Sequence, residues 1–222
     1  MKYTKSLLGA VLIVSILASG CGASKAVQGG AIGVAAGGVL GGVIGKAAGN
    51  TTLGAIIGAA VGGTAGALIG HHMDKQAEEM QKDIDNAKVE RVGEGIKITF
   101  DSGILFATNS SKLEAQAKVN IDKLAKILNK YPDTNIFVAG HTDITGKLEM
   151  NMKLSEQRAK SVVDYATSLG VSTSRFSMQG LGPNEPVATN DTPEGRQANR
   201  RVEVAVFANE KLKEAAEKGM LK

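Results

Sequence analysis

Glycine recurs every fourth residue from Gly29 through Gly33, Gly37, Gly41 and Gly45 to Gly49, and again from Gly54 through Gly58, Gly62 and Gly66 to Gly70. Nothing else in the chain restricts its fold as much. A spacing of four puts all of these glycines on one stripe of an α-helix. A glycine in a water-exposed helix costs about 1 kcal/mol relative to alanine. Close backbone approach of a neighbouring helix offsets that cost, as in small-xxx-small packing within lipid, and the i±4 row is also the ridge of right-handed crossings. The gaps hold mostly Ala, Val, Ile and Leu, and Lys46 is the only charge between Gly29 and Gly70. The spacing predicts two helices of about 20 residues each over residues 26–72, turning at Asn50-Thr51-Thr52, a membrane-associated helical hairpin. A flexible Gly/Ala linker would not keep this register through both series. The pattern leaves open whether the hairpin spans a bilayer or lies at its interface and self-associates. His71 and His72 point to different helix faces and read as interfacial polar residues.

Ahead of the ladder, Lys2 and Lys5 precede the apolar run LLGAVLIVSILA (Leu7 to Ala18), which is too short for a comfortable membrane span. Cys21 follows, the only cysteine of the chain. A lone cysteine in an exported protein has no internal disulfide partner, so it is a free thiol, an intermolecular pair or a modification site. The stretch LASGC resembles the lipobox of bacterial lipoproteins, in which the cysteine becomes the acylated first residue. Here Ala18 stands where Leu is commonest. The resemblance implies a signal peptide over 1–20, a lipidated N-terminus over 21–25 with Cys21 acylated, and, because residue 22 is Gly, sorting to the outer membrane. Several acyl chains, at roughly 0.8 kcal/mol per buried CH₂, make a lasting anchor. The glycine ladder likewise resembles the glycine-zipper segments of outer-membrane-associated lipoproteins. Without Lys2 and Lys5 the count is 24 Lys+Arg (26 less 2) against 22 Asp+Glu. The mature chain is then nearly neutral, and no basic, aromatic-interleaved surface points to nucleic acid.

Residues 73–92 are charged and helical in pattern, with Met73, Ala77, Met80, Ile84 and Ala87 on a narrow apolar stripe that suits a short stalk packing on a partner helix or on the next domain. From Gly93 an ordinary mixed domain is expected. GIKITF alternates like a half-buried strand. A helix follows, capped by Ser110 or Ser111, with Leu113, Ala117, Ile121, Leu124 and Leu128 inward and Pro132 as its stop. NIFVAGHTD is a second strand. The next helix turns Ala159, Val162, Val163, Ala166 and Leu169 inward and ends at Gly170. SRFSMQG and RRVEVAVFA are two more strands, and 209–222 is a polar tail. The order β-α-β-α-β-β implies an α+β fold, a mixed sheet covered on one side by two helices.

Asp143 ends the second strand, and Arg158 lies fifteen residues on, in the following helix. The pair is either a structural salt bridge or a socket for a ligand that carries both charges. His141 and Asp143 share a strand face, but no third metal ligand, no H-E-x-x-H and no S-x-x-K accompanies them. A binding module is therefore expected, not an enzyme, with no metal and no cofactor. The runs GHTDITGKLEMNMKLSEQRAKSVVDYA and SRFSMQGLGPNEPVATNDTPEGRQANRRVEV resemble the OmpA-like C-terminal domain of OmpA and peptidoglycan-associated lipoprotein, over roughly residues 93–208. With the lipobox and the glycine zipper, the architecture is similar to YiaD-type lipoproteins.

That resemblance implies non-covalent binding of peptidoglycan through its meso-diaminopimelate side chain. It assigns Asp143 to the ligand ammonium and Arg158 to its carboxylate. Asn151 and Leu154 shape the loop between them, Arg200 is a second ligand-side arginine, and Asn190 rims the pocket. Where the family's first strand runs into an Asp-rich turn this chain has FATNSSKL, so no role carries over to Asn109, and His141 is structural or at the rim. The implied protein tethers the outer membrane to the wall, its C-terminal domain in the periplasm, with a homo-oligomer as a further expectation of the zipper. The alternative is a membrane-assembling or outer-membrane biogenesis lipoprotein, driven by the ladder, for which wall binding is secondary.

Overall fold

The computed structural model describes residues 50–221. Its helices are α1 (Thr51–Ala59), α2 (Gly63–Asp83), α3 (Ser102–Leu105), α4 (Ala115–Lys130), α5 (Leu148–Ser168), α6 (Pro193–Asn199) and α7 (Glu210–Glu217). Strands β1 (Ala87–Val92), β2 (Gly95–Asp101), β3 (Thr134–His141), β4 (Phe176–Gly182) and β5 (Arg201–Ala208) form one sheet in the order β1-β2-β5-β3-β4. All neighbours are antiparallel except β3 and β4.

The strand period of two sorts the core. Ile136, Val138, Val202, Val204 and Val206 belong to the main apolar cluster with α4 and α5. Phe137, Ala139, Ala205 and Phe207 face the other way and meet Ala55, Ile56 and Ala59 of α1. The sheet is thus covered on both faces, where the strand and helix order had implied one. The reason lies in the strands themselves: every residue of β5 is buried, and a second apolar face needs a second cover.

That cover comes from the glycine ladder. The expected turn at Asn50-Thr51-Thr52 is instead a helix start, because Asn50 accepts from the Leu53 N–H at 2.8 Å and caps α1. The arm from Gly54 to Gly70 is helical but interrupted at Ala60–Gly62. Gly62 adopts φ +71°, and the Glu94 carboxylate accepts from the Val61 and Gly62 N–H groups at 2.8 and 2.7 Å, ahead of α2. Gly54 is buried, Gly58 and Gly62 are exposed, and a Cβ on Gly66 would overlap the Glu94 carboxylate. Among the described residues no helix is long and apolar enough to cross a membrane. The signal peptide, Cys21, and Gly29, Gly33, Gly37, Gly41, Gly45 and Gly49 lie outside the described residues.

The helical stalk expected over 73–92 ends at Asp83. Met73, Ala77, Met80 and Ile84 are buried as one stripe in the core of the domain that follows, the second of the two expected partners. Asn86, at φ +54°, reverses the chain into β1, which pairs with β2 from Ala87↔Phe100 to Val92↔Gly95. Arg91 fastens this strand to α2, donating to Asp74 at 2.7 Å and to the Gly70 carbonyl at 3.1 Å. The tail contributes α7, whose Leu212 and Ala216 are buried.

Candidate functional site

Gly140 and Gly180 stand opposite one another in the parallel β3–β4 pair. Helix α5 crosses directly over them. A Cβ on Gly140 would collide with the Ser155 carbonyl, and one on Gly180 with the backbone of Glu156. This contact sets the height and rotation of α5, whose Asn151, Leu154 and Arg158 share one face. That face lines a cavity of about 510 Å³ at the end of β3. Phe106, Thr108 and Asn109, between β2 and α4, form another wall, and Arg196 and Arg200, on α6 and its C-cap, complete the lining.

Asp143 is 7% exposed at the mouth of this cavity. Its Oδ1 accepts from the Thr145 N–H at 2.8 Å, and its Oδ2 from Arg200 Nη1 at 2.5 Å. Burial pushes the carboxyl up, but Arg200 and Thr145 together outweigh it and hold it below the usual carboxylate range. Arg158 makes no ion pair with Asp143 among the described residues. Its Nε donates to the Ser110 carbonyl at 3.0 Å, and its guanidinium lies over the Phe106 ring, 5.3 Å from the centroid. Burial, then the charge of Arg200, lower its proton affinity, and Asp143 opposes them. Neither Nη group has a hydrogen-bond partner among the described residues. Three guanidiniums and one carboxylate thus surround the cavity, which favours an anionic group beside a cationic one.

Of the residues singled out in the sequence, Asp143, Asn151, Leu154, Arg158 and Arg200 come together on this cavity. Asn151 donates to the Thr145 and Asp143 carbonyls at 2.9 and 3.3 Å, closing the β3–α5 loop. Asn190 does not line the cavity. Its Oδ1 accepts from the Ile144 N–H at 3.3 Å, behind the loop. His141 is fully buried on the α1 face of the sheet, its Nε2 4.0 Å from Glu203 Oε2, and takes no part in the cavity. Phe106, Thr108 and Thr142, which no motif marks, also line the cavity, and so does Asn109, to which the resemblance carries no role. The one aromatic in FATNSSKL was the available signal, since a buried arginine favours an aromatic face. Among the described residues no cluster of three His, Cys, Asp or Glu side chains could hold a metal ion.

A mixed sheet of this order, with α5 across its β3–β4 pair and a charged pocket at the end of β3, defines an OmpA-like α+β domain. That domain is of the OmpA family: residues 105–200 match the family's model, and residues 26–77 match that of the glycine zipper. The chain is 37% identical over 139 residues to "Probable lipoprotein YiaD" of Escherichia coli (strain K12), covering 62% of this chain and 64% of that one. It is 40% identical over 103 residues to "Peptidoglycan-binding protein ArfA" of Mycobacterium bovis, covering 46% and 32%. The chain thus spans less than two thirds of either curated relative. Among solved structures, the cell wall anchor of the T6SS from Pseudomonas aeruginosa superposes with a TM-score of 0.55 at 31% identity, over 62% of this chain and 97% of that one.

Proposed function

We propose that this protein is a lipid-anchored outer-membrane lipoprotein whose C-terminal domain binds peptidoglycan through the zwitterionic end of its diaminopimelate side chain. The observation that carries the reading is Arg158. It is 4% exposed, oriented by Ser110 and Phe106 through Nε and its face, and both Nη groups are left for a ligand carboxylate. Asp143 spends one bond on each oxygen and keeps acceptor capacity for an ammonium. Relatives named as a peptidoglycan-binding protein and a cell wall anchor support the same assignment. Cys21 carries the membrane anchor, and the domain faces the wall from the periplasm.

Sedimentation with purified peptidoglycan tests the pocket. Arg158→Ala is expected to weaken binding roughly 10- to 100-fold, because a charge-assisted hydrogen bond to a carboxylate contributes about 1.5–3 kcal/mol. Arg158→Lys keeps the charge but loses the planar fork, and recovers only part of it. Asp143→Ala weakens binding too and frees Arg200. If Arg158→Ala and Asp143→Ala both sediment as wild type does, the pocket assignment is wrong. Cys21→Ser tests the anchor: the protein is expected to leave the membrane fraction, and retention there would count against lipidation.

A further inference from the structure

The outer face of the sheet carries polar groups that the pocket does not use. Above the apolar patch covered by Ile56 and Ala59 lie Arg201 and Glu203, 3% and 1% exposed. Here the N-terminus of α1 meets Glu185, in the β4–α6 loop. The Glu185 carboxylate accepts from the Thr51 N–H at 3.1 Å and from the Thr51 hydroxyl at 2.5 Å, on the helix end where negative charge is favoured. A covering helix needs only apolar contact, yet this one is latched to a single loop by a buried carboxylate.

From Glu185 hydrogen bonds lead, through Arg201 and Asn199, to the loop that presents Asp143. The Glu185 carbonyl accepts from Arg201 Nη2 at 3.1 Å, and Arg201 Nη1 donates to the Asn199 carbonyl at 3.3 Å. Asn199 is fully buried and uses its whole side chain. Its Oδ1 accepts from the Val187 and Ala188 N–H groups at 2.8 and 3.0 Å, and its Nδ2 donates to the Ala188 carbonyl and to Asn190 Oδ1, both at 2.9 Å. Asn190 Oδ1 also accepts from the N–H of Ile144, the residue after Asp143.

We propose that Glu185 and Asn199 are positioning residues for the pocket, tying α1 to the loop that presents Asp143. The proposal rests on the pocket reading above. Helix α1 is the segment by which residues 1–49 enter the domain, so what happens on that side reaches the ligand loop through Glu185. Docking of α1 and binding of ligand then favour one another, and the coupling is reciprocal.

Hydrogen exchange on residues 51–59 and 141–147 of the mature chain, with calorimetry of a diaminopimelate-containing muropeptide, tests this. Glu185→Ala is expected to speed exchange in 141–147 and weaken muropeptide binding roughly 5- to 20-fold, the low end of common coupling strengths. Glu185→Gln, which still accepts from Thr51, restores most of both. Thr51→Val removes one bond only and gives a smaller change of the same sign. Asn199→Asp keeps the acceptor, loses both donations, and loosens 141–147 while leaving 51–59 protected. Saturating muropeptide slows exchange of 51–59 in wild type and not in Glu185→Ala. Faster exchange of 51–59 in Glu185→Ala, with 141–147 and affinity within twofold of wild type, would make α1 a mere cover and overturn the proposal. If wild type fails to bind muropeptide the wall-binding reading falls, and exchange in 141–147 still decides the positioning role by itself.

Discussion

Below pH 6.5 the protein is expected to lose stability by up to about 1.4 kcal/mol per pH unit until the pH nears 3, with His141 as the main cause. Burial, then the charge of Arg201, push the His141 pKa down from 6.5 to about 3, against the opposing pull of Glu203 and with a smaller push from Lys97. The ring is therefore neutral when folded at any pH above about 3, whereas the unfolded chain takes up the proton from pH 6.5 downward. Protons bound only by the unfolded state favour it, so stability is full above 6.5 and falls across this window, by roughly 5 kcal/mol at most.

Asp143 and Glu203 are held below the usual carboxylate range, so their contributions are present above that range and lost only at lower pH. His72, lowered by burial and Lys75, adds a smaller loss of the same sign. Urea unfolding at about pH 7.5, 6.5, 5.5 and 4.5 measures the slope, and His141→Gln should remove most of it above pH 4.5. An unchanged slope in that variant would show that His141 is not the titrating group.

Gly140→Ala is expected to cost about 1–3 kcal/mol and to lower the melting temperature on the order of 10 °C. The added methyl meets the Ser155 carbonyl and backbone, which cannot rotate aside as a side chain could. Helix α5 must lift or slide, and it carries Asn151, Leu154 and Arg158, so muropeptide affinity should fall with stability. Calorimetric melting and muropeptide titration of the same variant check both. A melting temperature within 2 °C of wild type, outside the effect expected from overpacking, would mean that the helix is free to yield.

Both residues, His141 and Gly140, act through tertiary packing that no local pattern records. The family resemblance makes His141 structural or rim. The structure buries it completely, on the sheet face that α1 covers and 4.0 Å from Glu203. The charges of the pocket show the same division. Asp143 and Arg158 stood out by their spacing, and the cavity does hold both. The partner of Asp143, however, is Arg200, 57 positions away. A pairing over that distance depends on how α6 meets the β3–α5 loop, and nothing in a local pattern encodes it. Asn190 illustrates the converse: its motif position suggested a rim, and its hydrogen bonds place it behind the loop as a support.

By itself the sequence determined what short-range rules govern: the periods that make strands and helices, the α+β order from Gly95 to Ala208, and a helix face carrying Asn151, Leu154 and Arg158. Tertiary structure alone decided where the ladder from Gly54 to Gly70 packs, that Ala87–Val92 is a strand, and which guanidinium answers Asp143. The reason is physical. A period of two or 3.6 is written in consecutive residues, whereas a glycine stripe or an apolar run records only that something must lie against it. Residues 51–59 had two candidate partners, another glycine helix or a sheet face, and the unburied side of β3 and β5 was the one within reach.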